Sequence, residues 1–192
     1  MQTIQTPQQL RLWTVKEYHY LTKIGVLHPT EKLELLEGQI VRMAAKGTSH
    51  TVATRRTAKL LENLLNNQAA IYTQDPITLN DYSEPEPDII VVIPDSLDYF
   101  EHHPKPSDIH LIIEVADSSL EYDLTIKSEA YAKSNIKEYW VLDVNERQLH
   151  IFRQPTSEGY KNCFILTEEE EINLSHFSQI RLSIQAMLPP KI

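Results

Sequence analysis

Cysteine, positive charge and long apolar runs are all scarce in this chain of 192 residues, and each scarcity excludes a class of protein. The single cysteine, Cys163, rules out an internal disulfide, and no second Cys or His stands near it at zinc spacing. The longest aliphatic stretch, Ile89 to Ile93, falls far short of the ~18 to 20 apolar residues that cross a bilayer. The opening M-Q-T-I-Q-T-P-Q-Q-L lacks the basic and apolar segments of a secretion signal. Together these absences set the expectation of a reduced, cytoplasmic setting without membrane contact. Eighteen Lys plus Arg against 27 Asp plus Glu leave a net charge of −9. Such a chain does not coat nucleic acid through its overall field, so a grip on polyphosphate requires locally clustered cations or bridging metal ions. Internal repeats, low-complexity tracts and linkers are absent as well.

What is present suits one core. The chain is 41% hydrophobic and 23% charged, near globular averages, and its length matches the ~100 to 200 residues of a typical domain. The expected organisation is an N-terminal arm over residues 1–12, rich in Gln and Thr, followed by a single domain over 13–192. Thr14 and Glu17 form a capping-box pair ahead of Val15, Tyr18, Leu21 and Ile24 at helical spacing, with Gly25 as the stop. Residues 32–43 read as a hairpin turning at Glu37-Gly38. Residues 49–67 form the longest helical pattern, with Val52, Leu60, Leu61, Leu64 and Leu65 as its expected buried stripe.

Strands follow over 70–79, 87–93 and 109–115, the last two so continuously apolar that they read as central strands covered on both faces. A helix is expected over 123–135 and a hairpin over 138–144 and 148–154, with weaker β pattern at 162–166. The order specifies an α+β fold with a mixed sheet flanked by helices.

The chemistry lies where charge interrupts these buried runs. Glu114 stands inside Leu111, Ile112, Ile113, Val115 and Ala116, and Asp88 opens its own apolar strand directly after Pro87. An uncompensated buried carboxylate costs several kcal/mol, on the order set by desolvation. If the two strands are neighbours, the carboxylates converge, and a hard divalent cation such as Mg²⁺ suits a pair of carboxylates plus waters. Lys127, early in the following helix, supplies an ammonium that orients or deprotonates an attacking water, and Glu34 a third carboxylate. A buried salt-bridge network that merely fixes the fold produces the same pattern, and composition does not separate the two.

Several motifs in order carry a resemblance: E-L-L-E-G (34–38), S-E-P-E-P-D-I-I-V-V (83–92), I-I-E-V-A-D-S-S-L-E-Y-D (112–123), Lys127 and Y-A-K-S-N-I-K-E-Y-W-V-L-D (131–143). The chain resembles the Uma-two family of restriction endonucleases, common in cyanobacteria and part of the P-D-(D/E)-x-K nuclease superfamily, over about residues 33–153. The resemblance implies a restriction-endonuclease-like fold and Mg²⁺-dependent phosphodiester hydrolysis, with Mn²⁺ as substitute, DNA as the substrate and a homodimer as the working form. By position, Asp88 matches the motif aspartate, Glu114 the second acid and Glu34 the upstream acid. Ala116 stands where the motif lysine would be, which passes that role to Lys127.

Accessory candidates are His50 for phosphate or a metal-bound water, Gln74 along the cleft and Tyr131 as a buttress one helical turn beyond Lys127. Arg55, Arg56 and Lys59 form the compact basic cluster where DNA would bind. Two functions stay open: a metal-dependent endonuclease with Asp88 and Glu114 on the metal, or a catalytically silent nuclease-fold module acting in dimerisation or nucleic-acid binding.

Overall fold

The computed structural model describes residues 10–191, so most of the expected arm lies outside the described residues. In chain order the elements are α1 (Val15–Lys23), β1 (Leu33–Leu36), β2 (Gln39–Arg42), α2 (Thr48–Leu65), β3 (Ala70–Tyr72), β4 (Ile89–Val92) and β5 (Ile109–Ala116). A broken helix follows: α3 (Leu120–Tyr122), a π-helical turn (Asp123–Lys127) and α4 (Ser128–Lys133). Then come β6 (Glu138–Asp143), β7 (Gln148–Thr156), β8 (Gly159–Thr167), β9 (Glu171–Asn173), β10 (Arg181–Ser183) and α5 (Ile184–Met187).

Strands β3 to β8 form one six-stranded sheet in sequence order. It is mixed, because β5 and β6 run parallel while every other neighbour is antiparallel. A parallel pair needs a long crossover, and the broken helix provides it. Alternate residues feed two cores. Val91, Leu111, Ile113, Trp140 and Leu142 pack with α2 and the C-terminal elements. Ile90, Ile112, Ala116, Tyr139 and Val141 pack with Ala130 and Tyr131 of α4. Burial on both faces is why β4 and β5 are apolar without alternation.

The capping box at Thr14 and Glu17 is formed, and the hairpin turns at Glu37-Gly38 as the sequence predicts. Other expectations need correction. The buried face of α2 is His50, Ala53, Thr54, Thr57, Ala58, Leu61 and Leu65, rotated from the leucine-led stripe, with Val52, Leu60 and Leu64 only half-buried. Small side chains let this helix lie close to the sheet, and hydrophobicity alone does not mark them. The strand expected over 70–79 stops at Tyr72 because Gln74 takes a left-handed φ of +60° and Pro76 offers no donor to a ladder. The helix expected from Asp123 starts at Leu120 and contains the π turn, and β9, β10 and α5 carried no clear pattern.

Gly38 shows how the hairpin tip is seated. It holds φ +74°, its N–H donates to the Tyr82 carbonyl (2.7 Å), and its carbonyl accepts from the Trp13 N–H (2.8 Å). A Cβ added there would lie 2.6 Å from the Leu12 Cβ. Gly38→Ala is therefore expected to destabilise the fold by about 1–3 kcal/mol, combining left-handed strain with overpacking. Gly25→Ala shares a positive φ (+77°) but meets nothing within 4 Å, and should cost only about 1 kcal/mol. Equal shifts of the two urea midpoints would show that the Leu12 contact contributes nothing.

Candidate active site

The antiparallel register pairs Ile89 with Ile113. One step back, Asp88 stands opposite Glu114, and the two-residue period of a strand puts both side chains on the α4 face. They are 6% and 3% exposed. Like charges placed directly opposite repel, so donors must surround them. The Asp88 N–H points at Glu114 Oε2 (3.3 Å), and the Val115 N–H donates to Asp88 Oδ2 (3.0 Å).

Lys127 answers the repulsion from above. Its Nζ donates to Glu114 Oε1 (2.9 Å) and lies 3.5 Å from Glu34 Oε2, while the Tyr131 hydroxyl donates to the same Glu114 oxygen (2.8 Å). The π turn lines up Asp123, Lys127 and Tyr131 as one buried stripe and leaves Ile126 49% exposed. A widened turn loosens backbone carbonyls, and side chains satisfy them here. Ser128 Oγ lies 2.9 Å from the Leu124 carbonyl, and the Tyr139 hydroxyl donates to the Asp123 carbonyl (3.0 Å). Glu34 reaches the site because β1 packs against the segment before β4, where the Glu86 N–H donates to Glu34 Oε2 (3.2 Å).

The start of α2 closes the other side. His50 Nε2 lies 2.9 Å from Asp88 Oδ2, the imidazole donating to the carboxylate, and Lys46 Nζ lies 3.4 Å from Asp88 Oδ1. Asp88, Glu114, Lys127, Glu34, His50, Asp123 and Lys46 all line one cavity of about 270 Å³. Tyr131 supports it from beneath.

The profile of the Uma2 family, described as "Putative restriction endonuclease", matches residues 15–186. The chain belongs to the Uma2 family. Among solved structures it is similar to the crystal structure of "a putative nuclease belonging to DUF820" from Anabaena variabilis ATCC 29413. That likeness has a TM-score of 0.71 and 16% sequence identity, and covers 91% of this chain and 96% of that chain. At this identity it speaks for the fold. No curated protein matches the chain.

Two of the accessory residues sit elsewhere in this Uma2 chain than the sequence suggests. Gln74 lies beyond the end of β3 and lines an adjoining cavity, not the one holding the carboxylates. The basic cluster is split: Arg55 and Lys59 border a shallow groove, whereas Arg56 turns away and its Nε donates to the Ala186 carbonyl (3.2 Å). Adjacent helical residues point about 100° apart, so the two arginines cannot share a face. Lys46 and Asp123 escaped notice in the sequence. Lys46 gives no signal beyond being a cation ahead of a helix, while Asp123 stands four residues before Lys127, a spacing that shares a helical face.

The charge balance in the Uma2 site is negative. Glu34, Asp88, Glu114 and Asp123 are buried against Lys127 as the buried ammonium. Burial works against ionised Asp88, but His50, the Val115 N–H and Lys46 reverse it and hold its carboxyl below the ordinary value. Glu114 goes the other way: burial, together with Asp88, Asp123 and Glu34, pushes it up to about 8 despite Lys127. Asp123 is raised by burial to about 6. Burial alone would lower Lys127, yet Glu114, Glu34 and Asp123 hold it well above its ordinary value.

Among the described residues no group of three or more His, Cys, Asp or Glu side chains is arranged to hold a metal ion. Mg²⁺, however, is usually bound through one or two carboxylates and several waters. Asp88 Oδ1 and Glu114 Oε2 have only long contacts, at 3.4 and 3.3 Å, and the buried acids of the site outnumber its buried ammonium. The donor set fits a hard divalent cation held by Asp88 and Glu114.

Two outcomes follow from this charge balance. Lys127→Met strands Glu114 and Glu34 and is expected to destabilise the protein by about 3–5 kcal/mol in urea unfolding, the usual effect of breaking a buried pair. A loss below about 1 kcal/mol would show that the ammonium is not their compensation. The raised carboxyls also set a pH dependence. Unfolded, Glu114 and Asp123 ionise near 4.5 and 3.8, whereas folded they keep protons up to about 8 and 6. The native state binds more protons across that window, so its stability falls as pH rises through it. Without divalent cation, Tm should drop between about pH 5 and 8, and Glu114→Gln should flatten most of the drop. An unchanged slope in that variant would remove Glu114 as its source.

Proposed function

We propose that the protein is a divalent-cation-dependent endonuclease that hydrolyses phosphodiester bonds in DNA. One observation carries this reading: two buried carboxylates face each other across adjacent strands, with an ammonium hydrogen-bonded to one of them. Asp88 and Glu114 would hold Mg²⁺, with Mn²⁺ as its substitute. Once bound there, such a cation would supply Lewis-acid stabilisation of phosphoryl charge and a lowered pKa for its water.

The chain's own residues do the rest. Lys127 stays an ammonium, because three carboxylates raise its proton affinity. Its part is to orient the attacking water and offset charge gathering on the phosphoryl oxygens, not to abstract a proton. Glu34 shares that ammonium with Glu114 and fixes where it points. His50 orients Asp88, and Tyr131 orients Glu114. Lys46, partly exposed beside Asp88, meets the phosphate at the mouth of the cavity.

A second reading is favoured by one feature. Lys127 and Tyr131 together occupy Glu114 Oε1, so the network is closed enough to serve a silent nuclease-fold module that binds nucleic acid or dimerises. Nicking of supercoiled plasmid and calorimetric titration with Mg²⁺ or Mn²⁺ separate the two. Asp88→Asn and Glu114→Gln should each lower cleavage about 100-fold or more and weaken cation binding, while circular dichroism shows the fold retained. Wild-type protein that neither binds the cations nor cuts DNA or RNA would leave the silent module standing.

A further inference from the structure

The catalytic cavity does not end at the carboxylates. A second cavity of about 330 Å³ adjoins it, with Met43, Lys46 and Glu86 lining both. Its far wall is built by α1 and the segment before β1, which contribute Tyr18, His28 and Lys32. The Tyr18 hydroxyl donates to the Leu33 carbonyl (2.9 Å), so this wall is fixed. Gln74 lines this cavity and also a third, bordered by Arg55, Lys59 and Asn63 of α2. The three cavities therefore form a series, handing over first at Lys46 and then at Gln74.

Charge along the series runs against the charge of the whole. The second and third cavities are lined by Lys32, Lys46, Arg55 and Lys59 against Glu62 and Glu86, in a chain whose net charge is −9. Among the described residues Lys32, Arg55 and Lys59 are exposed and make no ion pair. Gln74 stands at the second handover with its backbone pinned: its N–H reaches the Pro87 and Asp88 carbonyls (3.1 and 3.2 Å), at a left-handed φ of +60°. A non-glycine residue held in that region stores strain, which concentrates where a side chain must be aimed. Its amide is a donor and acceptor suited to a base edge.

The recess of the carboxylates bears on the form of the ligand. The carboxylates lie at the floor of a cavity walled by residues 41–46 on one side and 117–123 on the other. Asp88 and Glu114 are 6% and 3% exposed, so a phosphate must pass between these walls to meet them, which suits one slim unpaired strand better than the bulk of a duplex. Single-strand binders combine a cationic groove along the backbone with side chains that meet the bases.

The geometry points to a binding track for one unpaired nucleic-acid strand, running from the carboxylates past Lys46 and Lys32, over Gln74, to Arg55 and Lys59. The track rests on the nuclease reading for its direction, but it binds with or without turnover. Fluorescence anisotropy of a labelled single-stranded oligonucleotide, with chelator present to prevent cutting, reads it separately from activity. The single strand should bind more tightly than the blunt duplex of the same length. Lys32→Gln and Lys59→Gln, both at exposed positions, should each reduce the slope of log K against log salt by about 0.7, the share of one phosphate contact on a single strand. Lys161→Gln, on exposed β8, changes net charge equally and should leave the slope alone. Equal or tighter duplex binding, or slopes that respond to Lys161 as much as to Lys32 and Lys59, overturns the track. Binding as described without hydrolysis of any substrate overturns the enzyme reading and leaves the track in place.

Discussion

Two acids facing each other across neighbouring strands inside an apolar sheet are the constraint to which the surrounding structure answers. Leaving Asp88 and Glu114 uncompensated would cost several kcal/mol, a large share of the ~5–15 kcal/mol that holds a domain folded. Apart from the Val115 N–H, the compensation does not come from β4 and β5, because their other side chains are hydrocarbon except for His110, which stacks on His176. It comes from three separate segments brought to one end of the sheet: the loop before α2 with Lys46, the start of α2 with His50, and the broken helix with Lys127 and Tyr131, while β1 adds a further acid, Glu34, that shares Lys127. Fold and site are thus one electrostatic problem, and the raised carboxyl of Glu114 is the part that the protein's own cations leave unsolved.

The π turn is the local device that makes this solution possible. On the strand, the position two residues after Glu114 is Ala116, fully buried beneath α4. Placing the lysine on the crossover helix brings the ammonium down onto Glu114 from above and bridges it to Glu34, on a different sheet. The widened turn sets the phase of the helix so that Asp123, Lys127 and Tyr131 face inward together. Its loosened carbonyls are not wasted, because Tyr139 from β6 ties Asp123 to the floor of the sheet. A helical break that would weaken an isolated helix here anchors the residue that the site needs.

Much of this was written in the sequence wherever a pattern was broken by charge. Glu114 and Asp88 announced themselves because each interrupts a run that must be buried, and the order of strands made their meeting a natural expectation. The buried face of α2 was harder to see. Its ranking by hydrophobicity favours Leu60 and Leu64, but the face nearest the sheet needs small residues such as Ala53 and Thr57 so that His50 can reach Asp88. The early end of β3 depends on the left-handed Gln74, which no side-chain pattern signals, and the split between Arg55 and Arg56 depends on helical phase that a cluster in sequence conceals. Lys46 belongs to a loop, where position follows from the elements on either side and not from periodicity.

The separation of charge resolves the conflict between an acidic protein and the polyanionic substrate proposed for it. Acids gather on the floor of the cavity, where Lys127, Lys46 and His50 partner them and where the proposed divalent cation would sit. Exposed cations stand along the adjoining grooves, where the proposed strand would meet them before its phosphate reaches the floor. Beyond a Debye length of about 8 Å at physiological salt the net charge of the surface is largely screened, so the strand responds to what lies beside it. A net negative surface then disfavours indiscriminate coating of nucleic acid, while the proposed track would retain one strand. Positive charge along the approach and negative charge at the proposed metal position is the division that the proposed reaction requires, since it must hold both a cation and a phosphodiester at the same place.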